Sequence, residues 1–367
     1  MHAPIVRTVR RLLAFAAVAV ATTTAGAAPL PLLRITDISA STGLAGSQSA
    51  DINNRGEVLA YRPDGSAFVW KAGSAPQTFQ PPPGYKLDPR KLNDEGVVVG
   101  SVYQPNKPYD SFPPFIWTAA DGFQRILLRD GLSSGDANAV NNRGQIVGSA
   151  TVPLGKEKYV HALTGSARLG LDDPKPTRNG HSEAVALNNL GHAGGYATPP
   201  SKGWWQQHAV LIDQHGRSTK LGTLATPREQ DYSMVIALND ADEAVGYSTR
   251  RGMSLAFYWS RATGMLPLHA DTPDPNDWSM AISINRHGQV VGNYGGLAAD
   301  GHNWEADFYW DAEHGAVDLA ALIDPADPLK AKTELTGGGA RINDRGEIVA
   351  DAWVNRKLTA VLLTPAP

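Results

Sequence analysis

From Leu32 onward, apolar residues occur in short runs that are separated by glycine, asparagine, aspartate and proline. Several runs alternate apolar and polar positions, and no stretch keeps a sustained helical period. Short runs of this kind between turn-forming residues are typical of β-strands. The pattern therefore predicts an all-β protein.

One turn recurs along the whole chain: an Asn, two further residues, a position that is Gly in six of seven copies, and then an apolar run. The first copy, DINNRGEVLAY, begins at Asp51. Successive copies lie 40 to 58 residues apart, the spacing expected for one four-stranded propeller blade per repeat. The anchor residues are Asn53, Asn93, Asn141, Asn188, Asn239, Asn285 and Asn343.

A complete repeat contains four strand-like blocks. Strand A leads into the anchor Asn, strand B follows the turn, and strand D follows a later Gly-containing turn, as in GMLPLHA. Strand C is a block that begins at Ala67 (AFVW), Pro114 (PFIW), His161 (HALT), His208 (HAVL), Ala256 (AFYW), Asp307 (DFYW) and Thr359 (TAVLL).

The two ends of the chain complement each other. Residues 32–39 (LLRITDIS) resemble a strand D that belongs to no preceding repeat, whereas the last repeat stops after strand C. The N-terminal strand can therefore complete the last blade and close a ring. We predict a seven-bladed β-propeller of four-stranded blades, formed by residues 29–367 as one domain. A pair of β-sandwiches or an open array is the alternative.

The recurring turn has a backbone explanation. A hairpin loop built on a type I turn ends in a residue with positive φ, for which Gly is best suited, and Asp242 in the fifth copy tolerates the same region. The anchor Asn can bond the backbone two residues on and hold the turn by itself. A calcium loop is the alternative, but acidic residues do not recur at fixed positions. We also expect Trp70, Trp117 and Trp259, with Trp310, to pack between blades, and His161 and His208 to be hydrogen-bonded structural residues.

The repeated pattern S-x-A-x-x-x-N-x-x-G-x-x-V-G, followed by H-A-F-x-W and G-x-x-x-x-L-G, resembles the HAF-repeat family of bacterial extracellular proteins. Residues 182–224 give the best match, and the likeness covers nearly all of the chain after residue 28. The resemblance implies export and a repeat-built β fold, with no catalytic residues to carry over. The strand C blocks AFVW, PFIW and AFYW lack the His, and Ala350 replaces the Gly after strand B in the last repeat. Such departures favour a scaffolding role for the motif.

Composition narrows the class of protein. The 367 residues are 42% hydrophobic and 19% charged, with a net charge of -3 and no cysteine. This balance does not favour a nucleic-acid partner, because a phosphate-binding surface needs a basic excess. Disulfides, thiolate metal sites and cysteine nucleophiles are excluded. We expect no cofactor, no metal site, no membrane span and a monomer.

Residues 1–28 are predicted to be a signal peptide. Arg7, Arg10 and Arg11 give a positive start, residues 12–21 form an apolar run too short to span a bilayer, and residues 25–27 (AGA) form a small-residue cleavage site. A short membrane anchor is the alternative. We therefore expect a periplasmic or secreted protein.

Function is expected where the sequence does not repeat. In a four-stranded blade the A–B and C–D turns lie on one face, the turn face, and the B–C and D–A loops lie on the other, the loop face. The non-repeating tryptophans and the longer insertions all fall on the loop face. The predicted ligand-binding residues are Trp204, Trp205, Trp278, Trp304, Trp353, His181 and Tyr232, and further candidates nearby are Tyr109, Asp110, Arg228, Asp231, His302 and Glu305.

Three functions remain open at this point. Exposed aromatic rings beside charged groups suit a module that binds a glycan, a peptide or a protein. A propeller hydrolase or lyase would need loop carboxylates and histidines such as Asp231, His181 and Glu305 held together at a substrate. A structural envelope protein is the third alternative. The sequence contains no recognisable catalytic motif, so we favour the binding module.

Overall fold

The computed structural model describes residues 29–105, 113–129, 132, 134–154, 157–173, 180–199, 206–225, 231–269, 277–298 and 300–366. These residues form seven antiparallel sheets arranged as the blades of a β-propeller, which confirms the predicted fold. Besides the strands they contain one short α-helix, α1 (Ile38–Thr42), and 3-10 helices at Leu319–Leu322 and Lys330–Lys332. No helix in this part of the chain is both long and apolar enough to cross a membrane.

Six blades are continuous in sequence, with strands A to D in chain order. Blade 1 contains β2 (Gln48–Ile52), β3 (Glu57–Tyr61), β4 (Ala67–Lys71) and β5 (Gln77–Phe79), and blade 2 contains β6 (Lys86–Leu92), β7 (Val98–Tyr103), β8 (Pro114–Thr118) and β9 (Gly122–Arg125). Blade 3 contains β10 (Gly135–Val140), β11 (Gln145–Leu154), β12 (Glu157–Ser166) and β13 (Gly170–Asp172), and blade 4 contains β14 (Ser182–Leu187), β15 (Ala193–Ala197), β16 (His208–Ile212) and β17 (Ser218–Gly222). Blade 5 contains β18 (Ser233–Leu238), β19 (Ala244–Arg250), β20 (Met253–Ser260) and β21 (Gly264–Pro267), and blade 6 contains β22 (Trp278–Ile284), β23 (Val290–Leu297), β24 (Asn303–Asp311) and β25 (Gly315–Asp318).

Blade 7 joins the two ends of the chain. Its outer strand is β1 (Leu33–Asp37), which pairs antiparallel with β29 (Lys357–Pro365), next to β28 (Ile348–Val354). Strand A of this blade is interrupted: β26 (Thr333–Leu335) and β27 (Arg341–Ile342) both pair with β28, with a glycine run between them. The predicted ring closure by the N-terminal strand is therefore confirmed.

The anchor asparagines hold the inner ring. In every blade the side-chain oxygen of the Asn accepts the main-chain amides two and four residues on, as for Asn53 with Arg55 (3.0 Å) and Glu57 (2.9 Å). The turn residue three positions after the Asn has positive φ in all seven blades, including Asp242 at 62°. The turn is not held locally alone, however, because each Asn side-chain nitrogen also donates to the carbonyl oxygen of the next anchor Asn.

Blade interfaces are built from the repeated strand C block. Phe68, Phe115, Phe257 and Phe308 are fully buried in this block, and the ring of Trp117 stacks on Phe79 of the preceding blade at 4.4 Å. Trp70, Trp117 and Trp259 are buried, and Trp310 packs 5.5 Å from Tyr258 of the preceding blade. On the loop-face side, the serine that begins a strand A accepts the strand C amide of the previous blade, as in Ser182 with Ala162 and Ser233 with Ala209.

The repeated glycine, predicted to follow strand B, lies inside that strand in blades 2 to 6 and faces a β-bulge. Strand A is bulged opposite this glycine in blades 2 to 6, so that a carbonyl oxygen of strand A points at its Cα. A Cβ on Gly148 would overlap the carbonyl oxygen of Asp136, and the same overlap occurs at Gly195 with Glu183. The V-G step of the repeat is therefore a packing requirement of the bulged inner strand.

Candidate functional site

A cavity of about 690 Å³ opens on the loop face, among the inner strands of blades 7, 1 and 2. Its walls are the beginnings of strands A and the ends of strands B, on the side of the ring opposite the Asn turns. The polar residues that line it include Ser49, Tyr61, Asp88, Arg90, Arg341 and Asp351. The size lies within the range of small-ligand pockets.

The break in strand A of blade 7 shapes one wall of the cavity. Gly337 (φ 74°) and Gly339 (φ 95°) adopt left-handed backbone conformations, and their main-chain amides donate to the buried carboxylate of Asp307 at 3.2 and 3.1 Å. A side chain at Gly337 would also collide with Glu305 and the following amide, so only glycine fits there. Burial raises the pKa of Asp307 to about 7, against the effect of the two amide bonds.

Arg341 follows this glycine run and presents its guanidinium to the cavity. Its Nη1 donates to the carbonyl oxygens of Gly339 (3.3 Å) and Ala340 (3.2 Å). Burial lowers the pKa of Arg341, and the nearby carboxylates oppose that shift. The guanidinium therefore stays charged beside the cavity, since an arginine pKa begins far above neutrality.

Burial also shifts the pKa values of two further groups in the cavity wall. Burial raises the pKa of Asp351, whose carboxylate accepts the main-chain amide of Ser49 at 2.7 Å. Burial, with Asp351 and Asp88 adding to it, raises the pKa of Tyr61, so its hydroxyl keeps its proton at neutral pH. Arg90 and Asp88 form an ion pair of 2.8 Å. The cavity thus offers both fixed charges and hydroxyl groups.

An acidic wall continues around the channel in blades 3 and 4. Burial raises the pKa of Asp136, whose carboxylate accepts a 2.6 Å bond from Ser101 of the preceding blade. Burial, and then Asp136, raises the pKa of Glu183, which accepts from Ser149 at 3.3 Å. Each acid begins a strand A and is contacted from the end of a strand B of the preceding blade.

The described tryptophans of the loop face differ in their surroundings. Trp353 is 46% exposed and lines the cavity, next to its cross-strand neighbour Leu358. Trp278 and Trp304 come together in blade 6, where they pair across β23 with Gly295 and Gly296, and Trp304 packs edge-on to Tyr294 at 5.5 Å. Both rings are half-buried.

Among the described residues of the predicted set, His181 and Tyr232 do not line the cavity. His181 accepts the amide of Val160 on its Nδ1 at 3.1 Å, and burial, with His161 nearby, lowers its pKa. Tyr232 packs edge-on to Tyr247 at 6.0 Å. Trp204 and Trp205, and with them Tyr109, Asp110 and Arg228, lie outside the described residues, so their role stays a prediction.

The strand C histidines are hydrogen-bonded, as predicted. His161 and Asp173 are both buried and share a 2.7 Å bond, and His208 contacts Asp231 at 3.1 Å. Asp231, His181 and Glu305 belong to different blades or connections and do not line the cavity. Within the described ranges, no group of three His, Asp or Glu side chains is arranged to hold a metal ion.

Sequence reasoning missed most of the cavity. Three of its residues occupy recurring positions where the side chain changes from blade to blade: Asp88 lies five residues before its anchor Asn, and Tyr61 and Asp351 lie eight after theirs. A second signal was the run Thr336–Gly337–Gly338–Gly339, which interrupts the repeat only in the last blade. The inner strands follow the repeat and are predicted to be scaffold, so no pattern in the sequence distinguishes Arg341, Asp351 or Tyr61.

No protein-family model matches the chain, and no curated protein matches it in sequence. Among solved structures, a prolyl endopeptidase is similar over 92% of this chain and 51% of its own, with 11% identity and a TM-score of 0.53. Trypanosoma rangeli sialidase (87% of this chain, 55% of its own, 9% identity, TM-score 0.37) and the WD40 domain of SCAP from fission yeast (91% of each, 13% identity, TM-score 0.39) are more distant. The chain spans about half the length of the first two. At these identities the likeness concerns the fold alone: the chain is a seven-bladed β-propeller.

Proposed function

We propose that this protein is an exported, non-enzymatic binding module that takes its ligand in the loop-face cavity of the propeller. The observation that carries the proposal is the exposed ring of Trp353 at a cavity of about 690 Å³ whose walls hold Arg341, Asp351 and Tyr61. An aromatic face beside fixed polar groups is the usual make-up of a small-ligand site. A glycan or a peptide segment is the ligand class that suits it, and a protein partner would have to insert such a segment.

Binding to immobilised glycans and peptides tests the proposal. We expect the protein to bind at least one probe and the Trp353→Ala variant to bind it about tenfold more weakly, because a stacked ring contributes about 1 kcal/mol or more beyond its area. Leu266→Ala is the matched control: it removes a side chain of similar exposure (43%) from an outer strand of blade 5. Equal loss in both variants, or none in Trp353→Ala, would contradict a site at this cavity.

The loop tryptophans Trp204 and Trp205 are tested separately with a double alanine variant on the same array. We propose that they extend the binding surface over the loop face, so the variant should lose part of the profile. A profile indistinguishable from that of the unchanged protein would remove them from the site.

Export belongs to the same proposal and rests on residues 1–28. Fractionation of expressing bacterial cells and N-terminal sequencing test it. We expect a mature chain that begins near Ala28, outside the cytoplasm; an uncleaved chain in the cytoplasm would contradict this.

A second candidate function, acid–base hydrolysis, is favoured by one observation. Asp136 and Glu183 are carboxyl groups beside the channel whose pKa values are both raised by burial, and a raised pKa is a feature of carboxyl groups that act as general acids. A panel of glycosides and peptides, tested with the unchanged protein and with Glu183→Gln, decides it. Turnover that is lost in Glu183→Gln would establish the hydrolase; turnover that persists would exclude this pair.

A further inference from the structure

The guanidinium of Arg341 has N–H donors that the described residues do not use. Only its Nη1 donates to the protein in the part of the chain that the structure describes, and both acceptors are carbonyl oxygens of its own segment, those of Gly339 and Ala340. No described carboxylate lies within ion-pair distance of it. Arginine carries five N–H donors in a planar fork, so Nε and Nη2 remain available on the cavity side.

The carboxylates nearest to Arg341 are already occupied by other donors. Asp51 accepts from a lysine side chain (3.1 Å) and a main-chain amide (2.9 Å) of blade 2. Asp307 accepts from two amides of the glycine run, and Asp351 accepts from a main-chain amide of blade 1. None of these acids therefore takes up an N–H donor of Arg341. The positive charge of the Arg341 guanidinium is therefore available to a ligand.

The other residues of the cavity limit the class of ligand that can bind to Arg341. Apart from Trp353, Leu358, Ala50, Pro89 and the two glycines, the side chains of the wall are polar, and they include acceptors such as Asp88 as well as donors. Acceptors suit hydroxyl groups, and the exposed ring of Trp353 suits the flat face of a sugar ring. An apolar pocket for a terminal side chain, as a peptide C-terminus would require, is not formed by these residues.

We propose that the cavity recognises a carboxylated sugar: the carboxylate of a uronic acid residue accepts two hydrogen bonds from Arg341, its hydroxyl groups donate to carboxylates of the cavity wall such as Asp88, and its ring lies on Trp353. The inference deepens the proposed function and rests on it. Bidentate arginine–carboxylate pairing is among the stronger hydrogen-bonded contacts available, so it would dominate selectivity between acidic and neutral sugars.

Calorimetric titration of the full chain with three probes tests the inference. The probes are a polyuronate oligosaccharide, the same oligosaccharide with its carboxyl groups reduced to alcohols, and a peptide with a free C-terminal carboxylate. We expect the first to bind about 10- to 100-fold more tightly than the second, because hydrogen bonds to charged groups contribute about 1.5–3 kcal/mol. Equal affinities, or binding of the peptide alone, would overturn the proposal.

Three variants locate the carboxylate. Arg341→Gln should lose the preference for the acidic over the reduced oligosaccharide, and Arg341→Lys should recover only part of it, since lysine lacks the fork. Arg217→Gln, which removes a 78% exposed arginine from blade 4, should keep it. A full preference in Arg341→Gln would overturn the assignment. Should Arg341→Gln not fold, the comparison of the first two probes on the unchanged protein still decides.

The failure of the inference and that of the proposed function look different. If the reduced oligosaccharide binds as well as the acidic one and Trp353→Ala weakens both, the cavity is a binding site without carboxylate selectivity. If none of the three probes binds, or if Trp353→Ala leaves the binding of every probe unchanged, the cavity is not the site and both proposals are wrong.

Discussion

The side-chain nitrogen of Asn343 donates a 2.9 Å hydrogen bond to the main-chain carbonyl oxygen of Asn53, which lies 290 positions earlier in the chain. Six equivalent bonds link the other anchor asparagines from blade to blade, so the seven side chains form a closed cycle around the channel. A single residue type thus shapes each turn with its oxygen and ties it to the next blade with its nitrogen.

The two roles of the anchor Asn can be separated by substitution. Asn285→Asp keeps the oxygen that accepts from His287 and Gln289 and removes the nitrogen that donates to Asn343 at 3.0 Å. We expect the free energy of unfolding to fall by about 1–3 kcal/mol, because a buried carbonyl oxygen loses its donor. Urea denaturation measures this. Asn285→Ala removes both roles and should cost more; an Asp variant as stable as the unchanged protein would show that the cycle does not contribute.

Closure of the ring by β1 is expected to dominate stability at the chain ends. Leu33 is buried (1% exposed) against blades 6 and 7, so Leu33→Ala should lower the free energy of unfolding by about 2–5 kcal/mol. Arg34→Ala in the same strand is the control, because its side chain is 58% exposed and its ion pair with Asp324 is long, at 3.8 Å. Thermal denaturation measures the two losses, and equal losses of stability in both variants would argue against a closed blade 7.

The glycine opposite the bulge is expected to resist even a methyl group. Gly148→Ala places a Cβ on the carbonyl oxygen of Asp136, and we expect a loss of about 3 kcal/mol from the forced backbone shift. Gly216→Ala is the comparison: its Cβ meets nothing, and the left-handed backbone (φ 77°) alone should cost about 1–2 kcal/mol. The prediction fails if Gly148→Ala is the milder of the two in chemical denaturation.

The raised pKa of Asp307 predicts that the stability of the protein depends on pH near neutrality. Its pKa is raised from 3.8 to about 7 by burial, so the folded protein holds a proton that the unfolded chain releases at lower pH. The stability it contributes is full below about pH 4 and is lost as the pH rises through about 7. We therefore expect the unchanged protein to lose up to a few kcal/mol relative to Asp307→Asn between about pH 4 and about pH 7. A constant difference over that window, measured by urea denaturation, would show that Asp307 is already ionised at low pH.

The sequence predicted the architecture well because the features that determine it repeat. Asn and Gly at the turns, the aromatic block of strand C and the orphan strand at residues 32–39 each have a local physical reason that can be recognised without a structure. It also predicted the left-handed conformation of Asp242. The hydrogen bonds between successive anchors were not predicted, since they join residues of neighbouring blades.

The candidate site was predicted less well because its residues lie inside the repeated strands, at positions where the side chain varies between blades. Trp353 was identified from its irregular occurrence, whereas Arg341 and Asp351 sit inside strands that read as scaffold. Their significance depends on facts that no periodicity reveals: a glycine run that opens strand A, and carboxylates satisfied by main-chain amides. The packing of Trp278 and Trp304 over Gly295 and Gly296 likewise follows from strand register.

Blade 7 also has a consequence for how the molecule is made. During synthesis β1 is among the first strands to emerge, and its partner β29 is the last. Until residues 357–365 leave the ribosome, a nascent chain carries an unpaired strand edge at each side of the gap. Blade 7 is therefore the last blade to be completed, and the ring stays open until β29 docks on β1.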